Sequence, residues 1–259
     1  MGDWQGGTFG DRARCVLAPN AGVMTLDGTN TWVLREPGAR RSVVIDPGPL
    51  DEAHLDAVLE AAGPVGVVLL THGHLDHSEG AARFAARAGC GVRALDPTHR
   101  LGGEGLGDGD VVDVDGLEVR VVGTPGHTAD SLSFVLPADQ AVLTGDTVLG
   151  RGTTVVAHPD GRLGAYLDSL TLLHRLAQER EVAWVWPGHG PVIEDALAVL
   201  DYYISHRAER LEQVREATRA GASTPREVVE TVYADVDPVL WPAAELSVRA
   251  QLDYLRQAE

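Results

Sequence analysis

The chain has 259 residues with a formal net charge of −17; 44% of the residues are hydrophobic and 23% are charged. This composition is typical of a globular protein with one large domain, or one domain and a small appendage, and the negative charge argues against nucleic acid or an anionic membrane surface as the main partner. All 21 basic residues are arginine, which excludes a Schiff-base lysine and a P-loop lysine.

Three features of the sequence bear on location. No apolar run approaches the ~18 residues of a membrane-spanning helix, and residues 1–5 lack the charged and then apolar pattern of a secretion signal. The two cysteines, Cys15 and Cys90, are too few for a disulfide framework and are expected to be free thiols in a reducing compartment. We therefore predict a cytoplasmic protein with no membrane partner; the sequence carries no signal for an oligomeric state.

Short strands and helices follow one another through the first 195 residues. Residues 65–70 are a continuous apolar run typical of a buried strand, and residues 51–62 carry the apolar stripe of a helix that a Gly-Pro pair ends. The predicted strands, in chain order, are 31–34, 42–45, 65–70, 117–122, 131–136, 140–143 and 182–186; the predicted helices are 51–62, 78–88 and 166–178.

The pattern changes after residue 195. Only helices are predicted there, at residues 196–220, 225–232 and 242–257. We therefore predict an α/β catalytic domain at residues 1–195 and a helical C-terminal domain at residues 196–259.

Side chains that can bind a metal follow directly on the predicted buried strand. Residues 71–77 read Thr-His-Gly-His-Leu-Asp-His, with three histidines and one aspartate. Unpaired polar groups at the mouth of a buried strand cost free energy, whereas imidazole and carboxylate are ligands that suit zinc, iron and manganese. This stretch therefore predicts a metal site.

Three later donors stand in the same local context, where an apolar strand ends in a glycine-containing turn. His127 lies in TPGHT at residues 124–128, Asp146 in TGDT at residues 144–147, and His189 in PGHG at residues 187–190. In open α/β sheets the strand ends form the edge at which ligands bind. We expect these donors to lie beside the first cluster.

Taken in order, HxHxDH, TPGHT, TGD and PGHG resemble the motifs of the metallo-β-lactamase-fold hydrolases. The segments LDGTNT at residues 26–31, YLDSL at 166–170 and YISHR at 203–207 are similar to the β-lactamase-like protein 2 branch of that family. The resemblance implies an α/β fold, a four-layer αβ/βα sandwich, followed by a small helical, winged-helix-like C-terminal domain.

The resemblance also implies a site for two metals, with two Zn²⁺ per chain expected and Mn²⁺ or Fe²⁺ as alternatives. The first metal would take His72, His74 and His127, the second would take Asp76, His77 and His189, and Asp146 would bridge both. Asp76 and Asp146 are the predicted catalytic carboxylates. Their negative charges would partly offset the two dications, so that the metals can lie close together. A hydroxide that bridges the metals would be the nucleophile.

Asn30 and Tyr166 are predicted to bind substrate, and each has an equally good structural interpretation. Asn30 is also interpreted as a turn residue or as a group that orients a metal ligand, and Tyr166 as an aromatic residue of the core. Asp46 is interpreted either as an orienting partner of a ligand or as a strand-end cap. The loops at residues 24–31 and 148–165 are expected to border the substrate cleft.

The implied function is metal-dependent hydrolysis of an ester, thioester or lactone, with a small-molecule or acyl substrate as the partner. Two alternatives stay open: an endoribonuclease that cuts single-stranded RNA with the same metals, and a sulfur dioxygenase with one iron. RNA is possible but is not supported by charge, since residues 197–259 hold 7 basic and 11 acidic residues. A structural metal module is disfavoured, because it would need a closed four-coordinate site.

Overall fold

The computed structural model describes residues 4–258, and its framework is two β-sheets. The strands of the first sheet are β1 (Gly7–Phe9), β2 (Ala13–Leu17), β3 (Asn30–Leu34), β4 (Ser42–Ile45), β5 (Val65–Leu69) and β6 (Gly91–Arg93). Those of the second sheet are β7 (Val111–Val114), β8 (Leu117–Gly123), β9 (Leu132–Leu136), β10 (Ala141–Gly145) and β11 (Trp184–Pro187). In both sheets each strand pairs with its neighbours in the chain.

Parallel pairing determines where strand ends meet. β5 runs parallel to β4 and to β6, and β10 runs parallel to β11, whereas the other pairs are antiparallel. Each parallel pair needs a crossover, which places helices on the outer faces of the sheets. The helices of this part of the chain are α1 (Glu52–Ala62), α2 (Leu75–Ser78), α3 (Ala81–Ala88) and α4 (Leu163–Gln178).

The main core lies between the two sheets, and two tryptophans join them. Trp32 of β3 stacks on Trp186 of β11 with ring centroids 5.2 Å apart, and both are buried. Aromatic pairs of this kind contribute about 0.5–1.5 kcal/mol beyond the area that they bury. A second apolar layer lies under α1 and α3 and a third under α4, so the predicted four-layer α/β sandwich is confirmed.

The predicted helix at residues 78–88 starts three residues later in the structure, and a separate short helix precedes it. The short α2 holds residues 75–78, and α3 begins only at Ala81. The break lies at Gly80, where a Cβ atom would stand 2.9 Å from the carbonyl oxygen of Pro49. The chain therefore turns against the neighbouring loop before the second helix starts.

Four strands, β1, β2, β6 and β7, were not predicted from the sequence. They are only three to five residues long, and charged residues such as Arg14, Arg93 and Asp113 interrupt their apolar patterns. Strand pairing in the sheet, rather than local preference, holds such segments extended.

The C-terminal region is helical, as predicted. Its helices are α5 (Ala196–Arg219), α6 (Pro225–Val232) and α7 (Trp241–Ala258). Leu200 and Tyr203 of α5 pack against the α4 layer, whereas Val214 near its other end packs with α6 and α7 in a separate small core. One helix thus belongs to two cores. None of the helices within residues 4–258 is long and apolar enough to cross a membrane.

Candidate metal centre

The strand ends bring all seven predicted donors to one edge of the sandwich. The turn after β5 and the short helix α2 carry four of them, and the turns after β8, β10 and β11 carry one each. They form two groups of possible metal ligands, and within each group the ligand atoms lie within 4.8 Å of one another. The first group is His72, His74, His127 and Asp146; the second is Asp76, His77 and His189.

Ring nitrogens converge in both groups. Nδ1 of His74 lies 3.0 Å from Nε2 of His72 and 3.1 Å from Nε2 of His127. In the second group Nε2 of His189 lies 3.2 Å from Nε2 of His77 and 3.2 Å from Oδ2 of Asp76. Nitrogens that share one tetrahedral cation at about 2.0–2.1 Å stand about 3.3 Å apart, so both groups have the spacing of a metal site.

Asp146 lies between the two groups. Its Oδ1 atom is 3.4 Å from Nε2 of His77, and its Oδ2 atom is 3.6 Å from Nε2 of His127 and 3.4 Å from Nε2 of His189. Oδ1 is buried and has no hydrogen-bond partner among the described residues. The unpartnered Oδ1 atom beside His77, together with the Oδ2 atom between His127 and His189, fits a carboxylate shared by two cations.

A glycine makes this close approach possible. A Cβ atom at Gly188 would lie 2.7 Å from Oδ1 of Asp146 and 2.8 Å from Cε1 of His77. The glycine that precedes His189 in the PGHG motif is therefore required by the packing of donors from three different elements.

Outer hydrogen bonds orient four of the ligand histidines. Nδ1 of His77 lies 2.9 Å from Oδ2 of Asp46, Nδ1 of His127 lies 2.8 Å from the carbonyl oxygen of Val155, and Nδ1 of His189 lies 3.1 Å from the carbonyl oxygen of Gly28. Nδ1 of His72 lies 3.0 Å from Oγ1 of Thr71. A ring that donates from Nδ1 presents the lone pair of Nε2 to the centre.

Asp46 makes the contacts expected of a residue that orients a metal ligand. This was one of the two interpretations drawn from the sequence, the other being a strand-end cap. Besides the contact to His77, its carboxylate accepts hydrogen bonds from N of Thr71 at 2.8 Å and from Oγ1 of Thr71 at 2.6 Å. Its φ angle is 50°, a strained value for a residue with a side chain. These hydrogen bonds hold Asp46 in that conformation beside the centre.

Burial and neighbouring charges shift the pKa values of these histidines in opposite directions. Burial lowers the pKa of His72 well below its ordinary value and also lowers the pKa of His127, so both are neutral. Burial acts in the same direction on His77, but the carboxylates of Asp146 and Asp46 outweigh it and raise its pKa well above the ordinary value. For His189, burial is likewise outweighed, chiefly by Asp146, and the pKa rises to about 9.

The two predicted substrate contacts are buried and bonded to the protein. Nδ2 of Asn30 donates to the carbonyl oxygens of Pro187 and Gly190 at 2.9 and 2.8 Å, so it supports the turn that carries His189. The hydroxyl of Tyr166 donates to the carbonyl oxygen of Thr147 at 2.6 Å. This geometry favours positioning roles for both residues over direct contact with substrate.

A cleft of about 360 Å³ reaches His127 and Asp146 from the surface. Parts of both loops expected at its border do line it, at residues 24, 26, 149 and 151–155. The sequence did not indicate the opposite wall, which α5 and α7 supply with His206, Arg207 and Ala244. A signal that could have indicated this wall is the YISHR segment at residues 203–207, because its histidine and arginine have no predicted ligand role.

The family model described as Metallo-beta-lactamase superfamily matches residues 24–189, and the model for the beta-lactamase associated winged helix domain matches residues 224–259. The chain belongs to the metallo-beta-lactamase superfamily. Among its relatives, a beta-lactamase-like protein 2 homolog of Drosophila melanogaster is 33% identical over 93% of this chain and 87% of that protein.

One further relative bears on the activity of this superfamily member, and one solved structure bears on its fold. An atrochrysone carboxyl ACP thioesterase of Aspergillus fumigatus is 34% identical over 84% of this chain and 72% of that protein. The crystal structure of a beta-lactamase domain protein from Burkholderia ambifaria has a TM-score of 0.81 at 22% identity, covering 98% of this chain and 88% of that one. The chain is thus a superfamily hydrolase with a cluster suited to metal ions.

Proposed function

We propose that this superfamily hydrolase cleaves an acyl thioester, or a related ester or lactone, at a centre of two Zn²⁺ ions. The observation that carries the proposal is the pair of adjacent donor groups, with the carboxylate of Asp146 between them and its Oδ1 atom unpartnered. A centre that contains two cations suits hydrolysis of an acyl group. The thioesterase name of one relative supports the choice of a thioester within that class.

The chain's own groups have distinct tasks in this reaction. His72, His74 and His127 would hold the first cation, Asp76, His77 and His189 the second, and Asp146 both. When bound, the cations supply an activated water and an electrophile for the carbonyl oxygen. The carboxylate of Asp76 is 29% exposed against 11% for Asp146, which favours Asp76 as the group that would accept the proton of the attacking water on a carboxylate oxygen. Asp146 stays enclosed among the histidines.

A centre with a single iron is less well supported. It would leave one donor group without a cation, and in the second group His77 is fully buried beside three carboxylates. Three carboxylates outnumber the two protonated imidazoles, those of His77 and His189, and buried charge without a compensating partner costs several kcal/mol. The second group therefore favours two cations and hydrolysis over the sulfur dioxygenase alternative.

Metal analysis combined with a substrate panel tests the proposal. Protein purified with its native metals is expected to contain about two zinc ions per chain and to hydrolyse acyl thioesters, esters or lactones. In Asp146→Ala we expect kcat/KM to fall more than about 100-fold, because loss of an outer ligand partner alone costs about 10–100-fold. The exposed carboxylate of Asp113 on β7 provides the matched control, Asp113→Ala.

Two outcomes would contradict the proposal. One iron and no zinc in the native protein would favour the dioxygenase. Cleavage of a single-stranded oligonucleotide without hydrolysis of any acyl substrate would favour the ribonuclease, whose binding should weaken as salt increases.

A further inference from the structure

Arg207 on α5 is unusual among the arginines of the chain. It is only 5% exposed, and no other arginine of residues 4–258 is buried. Its side chain lines the cleft that leads to His127 and Asp146. A buried guanidinium stays charged, since arginine is not deprotonated in proteins, so its environment must compensate the charge.

The protein compensates this charge incompletely. Nη2 of Arg207 donates to the carbonyl oxygen of Thr154, and the guanidinium lies over the ring of Tyr166, 5.0 Å from its centroid. The Nε atom is buried and has no hydrogen-bond partner, and no described carboxylate lies within the 4.0 Å of an ion pair. An uncompensated buried charge is costly, and a cleft that receives an anion supplies the missing partner.

Two neighbours on the same helix line the same wall, and Arg210 adds a second positive charge to it. The guanidinium of Arg210 donates to the carbonyl oxygen of Val232 and lies 4.5 Å from the ring centroid of Tyr233, again without a carboxylate partner within the described part of the chain. His206, one position before Arg207, has a buried Nδ1 atom that also lacks a partner. Arg207 and His206 thus each hold a buried nitrogen without a partner beside the cleft, and Arg210 adds a guanidinium without a carboxylate partner among the described residues.

The charge of the cleft is opposite to that of the whole molecule. The chain carries −17, yet the carboxylate that lines the cleft is that of Asp146, a member of the metal centre. A third lining arginine, Arg151, is paired with Asp27. In such a setting two unpaired arginines concentrate an anionic ligand in the cleft.

We propose that Arg207, Arg210 and His206 form an anion-binding subsite that holds an oxyanion of the substrate while the metal centre hydrolyses its thioester. The oxyanion is a carboxylate of the acyl group or a phosphate of the thiol arm, and a guanidinium binds either through paired hydrogen bonds. Exposed apolar residues at the same cleft, Val23 and Met24, suit the remaining acyl chain. The substrate class rests on the proposed function, whereas the subsite rests on the uncompensated charge.

Two matched substrate pairs test the subsite and separate the two sources of the oxyanion. Succinyl and butyryl thioesters of N-acetylcysteamine differ in an acyl carboxylate, and butyryl thioesters of 4′-phosphopantetheine and pantetheine differ in a phosphate on the thiol arm. We expect kcat/KM to favour the anionic member of one pair by about tenfold, the effect of one charge-assisted hydrogen bond.

The variants Arg207→Gln and Arg210→Gln are expected to reduce this preference about tenfold. Arg215→Gln is the matched control, because Arg215 lies on the same helix but pairs with Glu212 at the surface; it should keep the preference of the wild type. Arg207→Gln also loses the bond to Thr154, so its thermal unfolding is measured alongside, and Arg210→Gln, which is partly exposed, provides the test if Arg207→Gln does not fold.

Binding of non-hydrolysable thioether analogues of the same pairs, measured by calorimetry on the metal-loaded protein, separates this inference from the proposed function. If no thioester is hydrolysed but the anionic thioether binds about tenfold more weakly to Arg210→Gln, the subsite stands and the proposed function fails. Equal kcat/KM and equal binding within both pairs would overturn the subsite. Arginine-dependent binding of a single-stranded oligonucleotide, without preference for anionic thioethers, would overturn it in favour of RNA.

Discussion

At the scale of single residues, the ligand histidines divide their two ring nitrogens between the centre and the protein scaffold. The motif HxHxDH was sufficient to predict four donors, since their spacing around a strand end is tied to their chemistry. The partners behind them were harder to predict. Asp46 and Thr71 act through contacts that the fold creates across two strands, and the acceptors at Gly28 and Val155 are backbone carbonyls that no side-chain pattern marks.

The pKa values lead to a prediction for metal binding. In the metal-free chain the carboxylates keep His77 protonated at neutral pH and raise the pKa of His189 to about 9. A metal needs both rings neutral, so its binding must release these protons. We expect the apparent affinity for zinc to fall as pH is lowered from 8 to 6, because protons then compete more strongly for the rings.

Calorimetric titration with zinc in two buffers of different ionisation enthalpy measures the released protons. Asp46→Asn removes one of the carboxylates that raise the pKa of His77, so it should release fewer protons than the wild type. The same proton release in both proteins, or an affinity that does not change between pH 6 and 8, would contradict the assignment.

At the scale of elements, helix α5 supports the loop between β10 and α4. The hydroxyl of Tyr203 accepts a hydrogen bond from N of Leu149 at 2.9 Å and donates to the carbonyl oxygen of Gly152 at 3.2 Å. Arg207 holds Thr154 in the same loop, and the next residue, Val155, orients His127. The C-terminal helices thus reach the metal centre through backbone contacts.

Tyr203→Phe tests this support. Removing the hydroxyl leaves the buried N–H of Leu149 without its acceptor, so we expect a loss of about 1–3 kcal/mol in the free energy of unfolding and a decrease in metal affinity through the displaced loop. Tyr202→Phe, at the exposed neighbouring position, is the matched control and should be neutral. Urea unfolding and zinc titration of both variants measure the two effects; equal values for the two would refute the role of the hydroxyl.

Helices were predicted more closely than strands from the sequence. The predicted 225–232 coincides with α6, and the predicted 51–62 includes Asp51, which is the N-cap of α1 and accepts from N of His54. Helix signals are local, since capping residues and a 3.6-residue apolar period lie within one segment. The short strands β1 and β7 depend on pairing partners elsewhere in the chain, so their own residues carry little signal.

At the scale of the whole molecule, the predicted boundary at residue 195 stays a prediction and can be tested directly. Leu200 and Tyr203 of α5 cover the apolar residues Tyr166, Leu170 and Leu173 of α4. Exposing such side chains costs about 1.5–3 kcal/mol each, so three of them together are comparable with a typical stability of about 5–15 kcal/mol. We expect residues 1–195 alone not to fold.

A longer fragment is the control for this truncation. Residues 1–221 keep α5 and lose only α6 and α7, so this fragment should fold with a lower Tm than the full chain. Circular dichroism and thermal unfolding of both fragments measure the difference. A cooperative transition of the 1–195 fragment near the Tm of the full chain would support an independent catalytic domain instead.

The sequence by itself determined the candidate donors, the fold class and the helical C-terminal region, because motif spacing and apolar periodicity are properties of neighbouring residues. Only the tertiary structure decided which groups lie around those donors. It placed Asn30 and Tyr166 in supporting positions, put Asp46 behind His77, and turned α5 into a wall of the cleft. Such contacts join residues 19 to 157 positions apart in the chain, and they depend on packing that no local pattern encodes.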